Sequence, residues 1–406
     1  MRTIWIINHY AGHPGDSAMG SRHFSLSRRL AQLGWEPIII AASSEHNSDR
    51  QRLSAGAKRG TSVRDGVQFR WLRTSGYAGN GLDRILNMLQ FTVAVLRPRS
   101  TRDLPPADLI IGSTVHPLAA WAASRLARRN SVPFIFEIRD LWPQTLIDMG
   151  KLRQHGLPAV VMRALERHLC TRAAGILTLL PNASEYLQSI GVDQNKVMWV
   201  SNGTDVDDFD TQPSTASDTF KFMYFGSFGN ANGIATILKA FAAIVNSGGI
   251  SNSKLILVGD GPLKPQLIKL ASELSGGDRI EFRPGVPKSQ IPAIAAQADC
   301  LVLNVLDLKL YRYGISLNKL FDYMAASRPI VMASNAVNNP VRDADGGMCV
   351  AADDAQALTG AMNLVMQSSP EERIRWGENA ARHVAENYDY GVLGDHLDSW
   401  LRTHVK

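Results

Sequence analysis

Lys221-Phe222-Met223-Tyr224-Phe225 followed by Gly226-Ser227-Phe228-Gly229-Asn230-Ala231-Asn232-Gly233 decides the architecture of this chain. An apolar run of strand length ends in a glycine-bearing loop, and the loop opens a longer helical pattern, Ile234 to Val245. A second short apolar run, Lys254 to Val258, follows, so the segment reads as strand, crossover helix and parallel strand. The alternation continues with a helix over Lys264 to Leu274, a strand over Ile280 to Phe282, a helix over Ile291 to Ala296, a strand over Cys300 to Asn304 and a helix over Lys319 to Ala326. Upstream it occurs independently. Strands are predicted at Thr3 to Ile7, Glu36 to Ala41, Leu109 to Ile111 and Phe134 to Glu137, with helices at Phe24 to Leu33 and Leu118 to Ala127. The predicted class is α/β, with two successive doubly wound, Rossmann-like domains.

The boundary is expected near Gly203, where Asn202-Gly203-Thr204-Asp205 makes a turn and a polar linker, Asp207 to Asp218, follows. The predicted domains are 1–203 and 204–384. The last segment, Glu371 to Leu401, reads as helical and is long enough to bring about 385–406 back onto the first domain. A length of 406 residues suits two domains, and 45% hydrophobic with 20% charged residues is ordinary globular composition.

The three cysteines, Cys170, Cys300 and Cys349, are far apart and form no C-x-x-C pair, which fits a reducing compartment. No apolar stretch has the length of a signal peptide or a spanning helix, so a cytoplasmic protein is expected. Charge is unevenly spread. Residues 1–202 hold 25 Lys and Arg against 14 Asp and Glu, a net +11, whereas 203–406 are net −5. The basic half should meet something anionic, nucleic acid or lipid headgroups. No RNP-type aromatic pair, zinc finger or helix-turn-helix pattern supports nucleic acid. Leu82 to Leu96 carries Ile85, Leu86, Leu89, Val93 and Leu96 at helical spacing, with Arg97, Arg99 and Arg102 directly after. Two readings fit equally: a helix seated in anionic headgroups at the membrane periphery, or a core helix followed by a solvated basic loop.

The chemistry concentrates in Gly314-Ile315-Ser316-Leu317-Asn318-Lys319-Leu320-Phe321-Asp322-Tyr323-Met324. A loop runs here from a strand into a helix start, where free N–H groups and the helix dipole favour a phosphate. Lys319 places a cation in the first turn, against the dipole, which points to a task beyond the helix. Asp322, nearly a turn later, is placed to accept hydrogen bonds from a ribose diol. The alternative is an ordinary i, i+3 pair of Lys319 and Asp322. Gly226, Gly229 and Gly233 allow either close approach to phosphate oxygens or simply a tight strand-helix turn. Their spacing is not that of a dinucleotide fingerprint. His116, in Gly112-Ser113-Thr114-Val115-His116-Pro117, and Arg139-Asp140 both follow predicted strands, where a ligand or a structural contact is the choice. With no D-x-D near these sites, no H-x-x-H and no cysteine cluster, neither a metal nor another cofactor is expected.

The stretch from Gly314 to Val331 resembles the nucleotide-sugar signature of retaining glycosyltransferase family 4, which has the GT-B fold. Further matches are Gly34-Trp35-Glu36, Phe136 to Pro143, Asn202-Gly203-Thr204-Asp205, Val258-Gly259-Asp260-Gly261-Pro262-Leu263 and Gly285-Val286-Pro287. Arg139 to Pro143 together with Asn318 to Asp322 is most similar to the branch that builds O-antigens and capsules, fucosamine transferases included. The resemblance implies a nucleotide-sugar donor, a UDP-linked N-acetylated sugar such as UDP-N-acetylfucosamine, and transfer with retention. The implied acceptor is linked to undecaprenyl pyrophosphate or to a polysaccharide, and the charge of the basic N-terminal domain adds the expectation of peripheral contact with an anionic membrane. The resemblance assigns catalysis to His116, Lys319, Asp140 and Arg139. Donor contacts fall on Asp322, Gly226, Gly229, Asn230, Gly314, Ile315, Ser316, Leu317, Val286, Pro287 and Gly261, and the acceptor loop on Gly12, Arg22 and His23. Two positions depart from the pattern. The first of the family's two glutamates falls on Gly314, and the loop after Phe225 lacks the usual Arg and Lys, so Lys319 and backbone amides would carry the pyrophosphate. A nucleotide-sugar epimerase of the same fold, an NAD-dependent dehydrogenase and a sugar-binding protein without activity are the rival readings.

Overall fold

The computed structural model describes residues 1–405 except 14–21, 46–47, 49, 80, 115, 210–217 and 248–251. The chain divides into two compact units, Met1–Ser201 with Tyr390–Lys406, and Asn202–Asp389. The first division falls two residues before the expected one, and the return to the first unit comes at Tyr390 instead of near 385.

Unit 1 contains β1 (Arg2–Ile7), α1 (Arg22–Gln32), β2 (Trp35–Ala42), β3 (Arg59–Arg64), β4 (Val67–Leu72), α2 (Leu82–Leu96), β5 (Leu109–Ser113), α3 (Pro117–Asn130), β6 (Phe134–Ile138), α4 (Gln144–Asp148), α5 (Leu157–Arg172), β7 (Gly175–Thr178), α6 (Ala183–Ser189) and β8 (Val197–Trp199). The sheet order is β3-β4-β2-β1-β5-β6-β7-β8. All pairs are parallel except β3 with β4. That hairpin turns at Asp65-Gly66, both with positive φ, as a two-residue turn matched to strand twist requires. Strands such as Ile38-Ile39-Ile40 are buried on both faces because helices cover both, which is why they read as continuous apolar runs.

Unit 2 contains β9 (Phe220–Phe225), α7 (Ile234–Asn246), β10 (Ser253–Val258), α8 (Lys264–Glu273), β11 (Ile280–Arg283), α9 (Ile291–Ala295), β12 (Cys300–Asn304), α10 (Asn318–Ala325), β13 (Ile330–Ala333), α11 (Pro340–Asp343), β14 (Gly347–Val350), α12 (Ala355–Gln367) and α13 (Pro370–Asn387). Its six strands run β11-β10-β9-β12-β13-β14, all parallel. In each sheet the first strand lies inside, the chain winds outward, and it then crosses back to the other side of that strand. The reversal falls between β1 and β5 in unit 1 and between β9 and β12 in unit 2. A crevice opens beyond the carboxyl ends at such a reversal, the favoured ligand position in doubly wound sheets.

The helical segment expected over Glu371 to Leu401 is divided between two helices. α13 stops at Asn387, and α14 (Tyr390–Arg402) belongs to unit 1. Tyr390, Leu393, Leu397 and Leu401 lie on one face of α14 and are buried in the unit 1 core. Arg29 donates two hydrogen bonds of 2.8 Å to the Asp395 carboxylate, and Trp35 Nε1 donates one of 2.6 Å to Asp398. Asp395 is about half exposed, so the apolar stripe supplies most of the attachment. Leu397→Ala is expected to lower the unfolding free energy by about 2–5 kcal/mol, against less than ~1 kcal/mol for Asp395→Ala, in chemical denaturation.

Candidate functional site

At the reversal in unit 2, Gly226 ends β9 and α10 begins opposite it. Gly314 has φ 103° and ψ 177°, a conformation close to glycine-only. A glutamate at that position, as in the resembled pattern, would strain this backbone. The next residues are held by amides. Asn338 accepts from Ile315 N (2.7 Å) and donates to Ile315 O (3.0 Å), while Asn202 donates to Ser316 Oγ (2.8 Å) and Ser316 O (2.6 Å). Leu317 then caps α10 without a side-chain hydrogen bond. The Gly314–Leu317 loop is thus fixed from both sides.

Lys319 reaches from the first turn of α10 to β9. Its Nζ donates to Tyr224 Oη (2.8 Å) and Asn232 Oδ1 (2.6 Å), and lies 4.6 Å from the centre of the Tyr224 ring. A Cβ at residue 226 would come within 2.9 Å of Lys319 Cδ, so glycine there is the condition for the lysine's position. Loss of hydration lowers the ammonium to about 7, with no carboxylate opposing the shift. The i, i+3 pair with Asp322 does not form. Asp322, buried, accepts from Thr204 Oγ1 (2.8 Å) and forms an ion pair with Lys288.

Lys288 is a second cation here, in addition to Lys319, and is paired with Asp322. It stands directly after Val286, which packs on the core, and the exposed Pro287. Gly229 and the exposed Asn230 lie on the same loop as Asn232, whose amide reaches Lys319. Gly261 lies against the Phe228 backbone, 2.7 Å from where its Cβ would be, and so braces that loop. Sequence reasoning missed Lys288, Tyr224, Asn338 and the side-chain roles of Asn202 and Thr204. Asn202-Gly203-Thr204-Asp205 had been read as a boundary turn, and a lysine one residue past a recognised Val-Pro was the available signal.

In unit 1, Arg22 and His23 gather around Glu137 at the end of β6. Arg22 was expected to contact an anionic ligand. It is instead 1% exposed, with Nε donating to Glu137 Oε1 (3.1 Å), Nη2 to Val200 O (2.9 Å) and Nη1 to Ser201 O. His23 Nε2 lies 2.6 Å from Glu137 Oε2 and its Nδ1 lies 2.7 Å from Asn8 Nδ2. Since the Asn8 amide can only donate, the proton sits on Nε2 and His23 is neutral. Burial lowers His23 despite the carboxylate. Against the cost of burial, His23 and Arg22 hold Glu137 ionised, well below the usual range. The group is one ion pair with a neutral hydrogen-bonded ring, a structural arrangement.

His116 was expected to present an imidazole to a ligand. It is 4% exposed and caps α3. Nδ1 accepts from Ala119 N (3.3 Å), so Nε2 carries the proton and donates to His9 Nδ1 (2.7 Å). Burial, helped by Arg84, pushes its pKa down to about 3. Both ring nitrogens are committed in this conformation. Arg139 is half-buried and Asp140 exposed at the end of β6. Arg139 N donates to Thr114 Oγ1 (2.9 Å). These two side chains remain at a strand terminus as anticipated. Gly12 is half-buried, and residues 14–21 of its loop, like Val115 and residues 210–217 of the linker, lie outside the described residues. Among the described residues, no three His, Cys, Asp or Glu side chains are grouped as a metal site, and no helix is long and apolar enough to cross a membrane.

Replacing Glu137 by Gln leaves Arg22 buried without its counter-charge. A loss of about 3–5 kcal/mol in unfolding free energy at neutral pH is expected. Because the folded carboxyl titrates below the unfolded value of 4.5, its stabilisation is complete above that value and is lost as pH falls below it. Acid unfolding of Glu137→Gln should therefore depend less on pH than that of the native chain.

Comparison with known proteins adds two family matches. Residues 18–203 match the glycosyl transferase 4-like domain and residues 219–368 match glycosyl transferases group 1. The alpha-D-kanosaminyltransferase of Streptomyces kanamyceticus is 24% identical over 310 residues, 71% of this chain and 76% of that protein. Sucrose-phosphate synthase of Thermosynechococcus elongatus superposes with a TM-score of 0.76 at 17% identity, covering 99% of both chains. HepE of Anabaena in complex with UDP-glucose does so with a TM-score of 0.67 at 13% identity, covering 99% of this chain and 100% of that one.

Proposed function

Because the chain is a glycosyltransferase of the GT-B fold, we propose that unit 2 binds a nucleotide-sugar through its pyrophosphate and that the enzyme transfers the sugar with retention and without a metal ion. One observation carries this reading: the Lys319 ammonium is held out of water beside the Gly226 loop with no carboxylate to neutralise it. A pyrophosphate supplies the missing negative charge. As the bond from the anomeric carbon to the phosphate oxygen breaks, charge grows on the leaving phosphate. Lys319, the uncapped amides at the start of α10, and Lys288 stabilise it. The acceptor oxygen attacks from the same face, and its proton passes to the leaving phosphate.

Asp322 receives the ribose hydroxyls in exchange for Lys288, which is then free to turn to the phosphates. Ile315, Ser316, Leu317, Gly229, Asn230 and Gly261 shape the donor pocket, with Val286 and Pro287 beside the base. Arg139 and Asp140 orient the acceptor. A UDP-linked N-acetylated sugar such as UDP-N-acetylfucosamine is the proposed donor, and the UDP-glucose held by HepE supports the base. The proposed acceptor is lipid-linked, in bacterial O-antigen or capsule synthesis on the cytoplasmic face of the membrane, as the Arg139 to Pro143 and Asn318 to Asp322 strings suggest. A relative named D-inositol 3-phosphate glycosyltransferase 2, of Catenulispora acidiphila, 24% identical over 93% of this chain and 88% of that protein, favours a second reading of the same chemistry, transfer to a small acceptor.

Assays of a panel of nucleotide-sugars against lipid-linked and small soluble acceptors test both readings. Release of nucleotide with no new glycoside, or epimerisation of the donor without acceptor, would overturn them. Lys319→Ala is expected to lower the turnover rate by about 10²- to 10³-fold while melting stays within a few degrees of the native chain. Affinity for UDP-glucose should also depend on pH. Lys319 is lowered to about 7 in the empty site and a bound pyrophosphate raises it, so binding takes up a proton. Affinity should stay level below pH 7 and weaken about tenfold between pH 6 and pH 8 by calorimetry. In Lys319→Met the slope should vanish.

A further inference from the structure

Helix α2 has two apolar stripes where a surface helix needs one. Phe91 and Val95, with Asn87 and Thr92, are buried and pack it onto unit 1. Of the stripe singled out by its spacing, Ile85, Leu86, Leu89 and Val93 face outward together with Leu82, and Leu96 is half-buried. Leu82 is 82% exposed and the other four outward residues are 45–53% exposed. The same happens on α5, where Ala159, Leu169 and Cys170 are buried but Leu157, Val160 and Val161 are 77%, 52% and 56% exposed. α3 packs between these helices and touches both, so the three form one layer on one face of the sheet. The opposite face is different, because α14 covers α1 there and buries its own leucines.

Charge identifies what fits the open layer. Over 82–102, 117–130 and 151–172 there are twelve Arg and Lys residues and two carboxylates. One of the two, Glu166, is buried and accepts a 2.7 Å hydrogen bond from Tyr186. Arg97, Arg99 and Arg102 follow the C-terminus of α2, Lys151 and Arg153 precede α5, and all five are exposed. Identical copies of so basic a face would repel each other. Apolar ridges flanked by guanidinium groups match a bilayer instead, where the ridges enter the headgroup boundary and the cations meet lipid phosphates.

We propose that unit 1 docks on an anionic bilayer through the α2-α3-α5 layer, with α2 and α5 as two apolar contacts and the arginines around them as the phosphate-binding rim. The proposal deepens the reading of a lipid-linked acceptor and rests on that reading for its purpose. Two contacts instead of one fix the orientation of the unit on the surface, which a single amphipathic helix cannot do.

Flotation of the full-length protein with vesicles tests this, using phosphatidylcholine with about a third phosphatidylglycerol, and phosphatidylcholine alone. The native chain is expected to float with the anionic vesicles only, and to be released at high salt. Leu86→Ser with Leu89→Ser, and separately Val160→Ser with Val161→Ser, should each lower apparent vesicle affinity at least about tenfold. These residues are exposed, so UDP-glucose binding in solution should be unchanged. No flotation of the native chain, or native-like flotation of both variants, would overturn the proposal. So would a dimer in lipid-free solution that both variants convert to monomer, because the face would then be a contact between copies. Vesicle binding needs neither donor nor turnover. Flotation without sugar transfer would refute the proposed function and leave the docking surface standing, and transfer without flotation would do the reverse.

Discussion

A lysine ammonium held away from water without a carboxylate is the arrangement on which the rest of unit 2 depends. Lowering Lys319 to about 7 costs on the order of a few kcal/mol at neutral pH, an expense that only the surrounding fold can sustain. Tyr224 and Asn232 offer oxygen atoms, which orient the ammonium but do not neutralise it. Gly226 leaves the space that the chain of methylenes occupies. The nearest carboxylate on its own helix, Asp322, is taken by Lys288 and Thr204. No carboxylate opposes the shift of Lys319, and an anion arriving from outside restores the full charge by proton uptake.

Unit 1 handles a buried charge in the opposite way. Glu137 is surrounded by a guanidinium and a neutral imidazole, and Arg22 spends its remaining N–H groups on the carbonyls of Val200 and Ser201. Charge, donors and acceptors balance internally, so the group ties α1, β6 and the end of the β8 segment together and leaves nothing for a ligand. His116 is similarly closed, with one nitrogen capping α3 and the other bonded to His9. The difference between a satisfied and an unsatisfied buried charge distinguishes the Glu137 group from Lys319 more sharply than residue type or position at a strand end.

That difference also explains what the sequence could and could not disclose. The two parallel sheets were legible because strands covered on both faces must be apolar throughout, and helices between them must repeat at 3.6 residues. Strands β7, β8, β13 and β14 were not picked out, being three or four residues long, and the β3–β4 hairpin was overlooked although Asp65-Gly66 marks it. Lys319 and Asp322 stood out because a lysine opening a helix works against the dipole. The internal partners of Arg22 and His116 were not legible, since a single sequence does not tell that Glu137 and His9 lie opposite them. The stripe on α2 was visible, but its outward direction depended on which of two apolar stripes the core would take.

Gly314 joins these threads. Read against the resembled pattern, it is a lost carboxylate and weakens donor recognition. In the fold its φ of 103° lets the chain leave the β12 side and enter α10 with Ile315 and Ser316 presented to Asn338 and Asn202. A carboxylate at this position would bring negative charge toward the proposed pyrophosphate site, whose first-turn cation is already only half protonated near pH 7. Its absence leaves Asp322, paired with Lys288, as the carboxylate of this segment. In the proposed donor site, sugar discrimination would then come from hydrogen bonds other than a carboxylate at 314, with the amide-pinned loop of Ile315, Ser316 and Leu317 as the rigid surface that supplies them.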